Sequence, residues 1–261
     1  MTLAPYPGTR AVRRAVSVLK AFTVFRPELG LSELARVTGL NKTTAFRLLS
    51  ALEEEGLVQR VPQGEAYRLG PEFAALGLRA LAAENLLFAA QAELPGLADS
   101  TQETASLHVL VGREVVILDE AFGRQLLAAA DKEVGTRWPA HATSTGKALL
   151  AFGIEEQTRE LLRRPLTRFT SKTICDPEAF RRELRRVHAR GYATNREELE
   201  IGYAAAGVPV IGANGRAVAA LTVWGPSSRL TAERMSDIAP RLSAAASRIS
   251  ARLGVGKNRD A

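Results

Sequence analysis

Residues 31–61, LSELARVTGLNKTTAFRLLSALEEEGLVQRV, constrain this chain more than any other stretch. Two short helices are predicted to meet at Gly39, and the second carries opposed faces. Ala45, Leu48, Leu49 and Leu52 fall at i, i+3, i+4 and i+7 and form one apolar stripe. Thr43, Phe46, Arg47 and Ser50 repeat that spacing on the other side. An ordinary surface helix would also show polar residues to water. The aromatic ring of Phe46 on the polar face argues instead for a partner such as a thymine methyl in a DNA groove. Ser32 is expected to cap the first helix, with Glu33 in its first turn, and Gly39 to supply the positive φ of the turn. Asn41 is expected to cap the second helix, placing Lys42 and Thr44 in its first turn, and Gly56 to stop it.

Leu57 to Val61, a turn over residues 62–65, and Ala66 to Leu69 read as a hairpin. Following a helix-turn-helix, that hairpin is a wing, with Arg60 and Arg68 set for phosphate contacts. Charge placement agrees. Residues 1–50 hold eight Lys and Arg against two Glu, so +6 of the chain's net +7 lies around the proposed reading head. Arg10 and Arg13 belong to that excess, on a helix expected over residues 10–23 with Val12, Ala15, Val16, Leu19 and Phe22 facing a core. Cys175 is the only cysteine, which excludes an internal disulfide and suits a reducing cytoplasm. No apolar run is long enough to span a bilayer, and basic residues interrupt every apolar stretch near the N-terminus, so neither a membrane span nor a signal peptide is expected.

Beyond Gly70-Pro71, a helix over residues 72–83 is rich in Ala and Leu and poor in charge, a linker that also packs on a partner chain. A mixed pattern follows. A helix is expected over residues 87–100, a hairpin over 104–111 and 114–120, and a third strand over 125–130. Helices are predicted over 144–152, 155–163 and 177–190, strands over 192–195, 204–211 and 217–224, and a long helix over 231–253. The whole is an α+β chain: a mobile lead (1–9), a winged helix-turn-helix domain (10–70), a linker helix (71–84), a second domain (85–253) and a loose tail (254–261).

Five blocks, YRLGPEFAALG (67–77), QET (102–104), HATSTGKALLAF (141–152), RGYATNREELEIG (190–202) and GPSSRL (225–230), resemble the IclR family of bacterial transcription regulators in order and spacing. The resemblance implies a GAF-like effector-binding second domain, and dimers or dimers of dimers on palindromic double-stranded operators near catabolic genes. It places the effector pocket at Ser144, Thr145, Asn195, Ala205, Thr222 and Trp224. Asn41 stands where relatives commonly have Pro, and both suit a helix start. Ala205 replaces a frequent cysteine, Asn195 a frequent aspartate and Trp224 a small hydroxyl residue. Those changes imply a bulkier, more aromatic pocket for a ligand with an apolar body and a polar end.

Catalysis fits poorly. His108, His141, His188 and Cys175 have no metal-ligand spacing. Gly146-Lys147 lacks the upstream glycine and following hydroxyl of a phosphate-binding loop. The arginine run over 181–190 carries Phe180, Leu184 and Val187 at helical spacing and reads as a solvated helix face. No cofactor or metal is expected. A ligand-binding module without a transcriptional role is the remaining alternative.

Overall fold

The computed structural model describes residues 9–23, 25–62, 64–82, 86–123 and 134–253. The chain divides into two compact units, residues 1–83 and 84–261. The third strand expected over residues 125–130, the tail and nearly all of the lead lie outside the described residues.

In the first unit, helix α1 (Thr9–Leu19) precedes strand β1 (Glu28–Gly30), α2 (Leu31–Thr38), α3 (Lys42–Glu54), β2 (Val58–Arg60), β3 (Ala66–Leu69) and α4 (Pro71–Ala82). Its core joins Val18, Phe22, Leu29, Leu34, Leu49, Leu52, Val58 and Tyr67. Three local expectations need correction. Helix α1 stops at Leu19, and it turns Val18 rather than Val12 and Val16 inward; the last two are 64% and 40% exposed. Ala15, Leu19 and Phe22 turn inward as expected, and Val18 joins them in place of Val12 and Val16. The wing, expected as a two-stranded hairpin, gains β1, which pairs antiparallel with β3, Leu29 opposite Tyr67, so its sheet has three strands among the described residues. Helix α2 starts two residues early, so Gly30 takes the cap position without a side-chain bond and Ser32 lies inside the helix. Gly70 is required by close approach, because a Cβ there would lie 2.1 Å from the carbonyl oxygen of Gly56.

Among its described residues the second unit contains a six-stranded antiparallel sheet in the order β6-β5-β4-β9-β8-β7. Its strands are β4 (Thr104–Val111), β5 (Glu114–Ala121), β6 (Arg137–Pro139), β7 (Ala193–Arg196), β8 (Tyr203–Ile211) and β9 (Ala217–Pro226). Side chains alternate between the faces. Ala105, Leu107, Leu221 and Val223 join Leu86, Leu97, Leu242 and Ile249 from α5 (Leu86–Gln91), α6 (Leu94–Thr101) and α10 (Ala232–Arg252). On the other face lie α7 (Ser144–Ala151), α8 (Glu155–Leu162) and α9 (Pro177–Arg190), centred on Leu149, Leu161, Phe180 and Val187.

The helix expected over 87–100 is two helices, α5 and α6, broken at Ala92-Glu93. Pro95, in the first turn of α6, has no N–H to continue a helix from upstream. Arginines spaced by seven along α10 hold the pair. Arg234 donates to the Thr101 carbonyl (2.9 Å), Arg241 to Ser100 (3.3 Å), and Arg248 to the Glu93 carboxylate (2.7 Å). Among the described residues no helix is long and apolar enough to cross a membrane.

Candidate DNA-reading face and effector cavity

Helix α3 is anchored from its first turn. Asn41 Oδ1 accepts from the Thr44 N–H at 2.8 Å, as expected of a cap. Ala45, Leu49 and Leu52 are buried, while Lys42, Thr43, Phe46, Arg47 and Ser50 are exposed and share one face. Thr44 is half-buried, its amide committed to the cap. Gly39 turns the chain at φ 68°. On the wing, the exposed Arg60 lies 3.5 Å from Glu53 and 5.3 Å over the Tyr67 ring, and Arg68 sits opposite Gln59 and Glu28. Arg10 and Arg13 are exposed on α1.

The second unit encloses a cavity of about 210 Å³. All six residues expected in the pocket line it: Ser144 and Thr145 at the start of α7, Asn195 on β7, Ala205 on β8, and Thr222 and Trp224 on β9. Sequence reasoning missed His108 on β4, Ile117 on β5, Trp138 on β6, Thr143, Tyr203 and the loop residues Leu199 and Glu200. A period-two reading of β4 puts His108 on the face opposite Leu107 and offers a signal for it. Trp138 belongs to a three-residue strand too short to show a pattern. The chain's two tryptophans both line the cavity, and Tyr203 packs 6.2 Å from Trp224, ring centre to ring centre.

The polar wall is densely bonded. Ser144 Oγ meets Thr222 Oγ1 at 3.0 Å, and Thr222 donates to the Ala206 carbonyl at 2.8 Å. Thr145 Oγ1 is 3.2 Å from His108 Nδ1, and Ser106 Oγ is 2.9 Å from His108 Nε2. Burial drives the His108 pKa down from 6.5 to about 3, so its ring is neutral. Thr143 caps α7 by accepting from the Gly146 N–H at 3.2 Å. Gly146 has no alternative, since a Cβ there would lie 2.1 Å from the Ala140 carbonyl oxygen. Asn195 holds backbone on both sides, donating to the Ala142 carbonyl (2.8 Å) and accepting from the Glu198 N–H (2.9 Å). One amide N–H remains for the cavity.

The RGYATNREELEIG block closes one side of the site. Lys147 Nζ, fully buried, donates to Glu198 Oε1 at 2.6 Å, which gives this lysine a structural partner instead of a phosphate. Burial raises the Glu198 pKa and Lys147 opposes that shift. Glu197, at φ 61°, accepts from Lys172 (2.5 Å) and Ser227 (2.6 Å), which hold its carboxyl down near pKa 2. The QET and GPSSRL blocks also meet: Arg229 grips the buried Glu103 through two bonds of 2.6 and 2.7 Å. A Cβ at Gly225 would strike that carboxylate at 2.3 Å.

The remaining candidates for chemistry have separate surroundings. His141 bonds the Thr167 carbonyl (2.9 Å), while His188 stacks on Phe152 (4.7 Å). Among the described residues no three metal-capable side chains cluster. The arginines of α9 form a solvated face, with Phe180, Leu184 and Val187 buried beneath them.

A winged helix with an open polar face, in one chain with an α+β unit around a small cavity, defines a ligand-responsive DNA-binding regulator. Residues 11–62 match the family model "IclR helix-turn-helix domain" and residues 78–251 "Bacterial transcriptional regulator IclR C-terminal". The chain belongs to the IclR family of transcriptional regulators and is not an enzyme. It is 31% identical over 249 residues to the HTH-type transcriptional regulator XynR of Escherichia coli, covering 95% of this chain and 98% of that one. Among solved structures it resembles an IclR-type regulator of Silicibacter sp. TM1040, at a TM-score of 0.84 and 33% identity, with 94% and 96% of the two chains covered. It also resembles an IclR homolog of Microbacterium hydrocarbonoxydans complexed with 4-hydroxybenzoate, at a TM-score of 0.80 and 29% identity, with 94% and 100% covered.

Proposed function

We propose that the cavity of the second unit takes a small organic acid with an apolar or aromatic body and that its occupancy controls operator binding by the first unit. The observation that carries this reading is the cavity itself. Buried hydroxyls and the start of a helix gather at one part of its wall, while Trp138, Trp224 and Ile117 supply apolar surface. The polar end of the ligand is held by Ser144, Thr145 and Asn195, beside Thr222; Ala205 and Trp224 shape the space for its body. A structural relative complexed with 4-hydroxybenzoate supports a ligand of this class.

On the DNA side, Lys42, Thr43, Thr44, Phe46 and Arg47, with Asn41 fixing the helix start, enter the major groove. Arg60 and Arg68 of the wing, with Arg10 and Arg13, take phosphates. In this reading residues 10–70 form the DNA-binding domain, 71–84 the linker and 85–253 the effector-binding domain. The protein acts in the cytoplasm as a dimer or dimer of dimers on a palindromic operator near a catabolic operon. The exposed Phe73 and Leu76 of α4 suit burial against a second copy. Ligand binding then shifts the placement of paired reading heads and with it the fit to the half-sites.

Titration with short aliphatic and aromatic acids, followed by tryptophan fluorescence, tests the cavity directly because both reporters line it. A saturable change with at least one acid, matched by a change in gel-shift affinity for DNA upstream of its own gene, is the expected result. A flat response to the whole panel sinks the reading.

A further inference from the structure

A hydroxyl owns one proton, and following those protons sets the polarity of the cavity's polar end. The Thr222 proton is spent on the Ala206 carbonyl, which can only accept. Ser144 must therefore donate to Thr222 Oγ1, leaving a lone pair of Ser144 Oγ for the cavity. Thr145 has the opposite polarity. Ser106 is fully buried, and among the described residues its hydroxyl meets only His108 Nε2. The Ser106 proton is satisfied only if that nitrogen is bare. The neutral ring then carries its hydrogen on Nδ1 and donates to Thr145 Oγ1. The Thr145 proton is left for the cavity. Ser144 and Thr145 are also the first two residues of α7, where backbone N–H groups have no intrahelical acceptor.

Four donors, the two amides, the Thr145 hydroxyl and the free Asn195 N–H, thus stand beside one acceptor, Ser144 Oγ. From this we infer that the cavity selects 2-hydroxycarboxylates. The carboxylate accepts from the α7 amides and the Thr145 hydroxyl, and the neighbouring 2-hydroxyl donates to Ser144 Oγ. This rests on the effector reading above and narrows it. A 2-oxo acid of the same size turns a carbonyl lone pair toward the lone pair of Ser144. An unsubstituted acid leaves that oxygen without a donor. A site built to bond a ligand hydroxyl discriminates against analogues that lack it.

Fluorescence titration of the full-length protein with mandelate, phenylglyoxylate, phenylacetate and phenylacetamide tests the inference. Mandelate is expected to bind about tenfold more tightly than any of the other three, the worth of one good hydrogen bond. Ser144→Ala should bring mandelate and phenylacetate within about twofold of each other. Nitrogen-15 NMR of the histidine rings should show His108 as the Nδ1–H tautomer. Phenylglyoxylate or phenylacetamide binding as tightly as mandelate overturns the inference, as does an undiminished mandelate preference in Ser144→Ala or an Nε2–H ring at His108. If carboxylates bind without preference, the inference alone falls. If none binds, the effector reading falls and takes it along.

Discussion

Helices α3 and α7 open alike and end up opposite. Each has a side-chain cap, Asn41 or Thr143, followed by Lys-Thr-Thr in one case and Ser-Thr-Gly-Lys in the other. On α3 the polar residues stay in water with few partners. On α7 every residue from Ser144 to Leu150 is buried, and Ser144, Thr145 and Lys147 each carry a specific bond. The difference follows from what each helix meets. A polyanion arrives with its own donors, acceptors and charge, so its reader keeps side chains exposed and adaptable. A small ligand has few groups, so its site must be oriented in advance, with the cost of ordering met during folding.

Substitutions that separate folding from reading probe that contrast. The largest effect is expected at Lys147. Lys147→Ala leaves the Glu198 carboxylate buried without its cation and should cost about 3–5 kcal/mol in urea unfolding. The double change Lys147→Met with Glu198→Leu should recover most of that loss; failure to recover would make the ion pair more than a structural tie. Next comes Arg47→Ala on α3. It should weaken specific DNA binding by about 1–3 kcal/mol in gel shifts, with the melting temperature unchanged. An equal loss on random DNA would reassign Arg47 to a phosphate.

His108 gives α7's surroundings a pH signature that α3 lacks. Its pKa falls from 6.5 unfolded to about 3 folded, so between those values the unfolded chain takes up a proton that the folded one refuses. Stability is full above pH 6.5 and falls with acidification by up to about 1.4 kcal/mol per pH unit, reaching about 2 kcal/mol at pH 5. Urea midpoints for His108→Gln should show a flatter slope over that range; parallel slopes would contradict a neutral buried ring. The smallest effect belongs to the α3 cap. Asn41→Ala should cost about 1 kcal/mol, seen as faster amide exchange in the first turn of α3.

The same contrast explains what could be read beforehand. Helix α3 announces itself because its burial follows polarity: Ala45, Leu49 and Leu52 go in, and Thr43 and Arg47 stay out. On α7 burial and polarity part company, so Ser144 and Thr145 are legible only through family resemblance, and Lys147 shows in the sequence only as the end of an incomplete phosphate-loop pattern. His108 looked like a candidate for chemistry and is instead part of the cavity wall. Strand β1 escaped notice because three residues with one buried side chain make no period. Val12 and Val16 misled because a valine repeat marks an apolar stripe without saying whether the same chain covers it. Pro95 was a printed stop signal inside the helix expected over 87–100.

The arginines of α10 have a consequence for synthesis. Arg248 reaches Glu93 across 155 residues, and Leu242 and Ile249 fill a core begun by Leu86 and Leu97. Every core contact of the first unit, by contrast, closes within 83 residues. During synthesis every core residue of the reading head therefore precedes the second unit, whose core lacks Leu242 and Ile249 until α10 is made. A nascent chain halted before residue 232 carries the whole core of the DNA reader, while the cavity's sheet still lacks the helix that covers its other face.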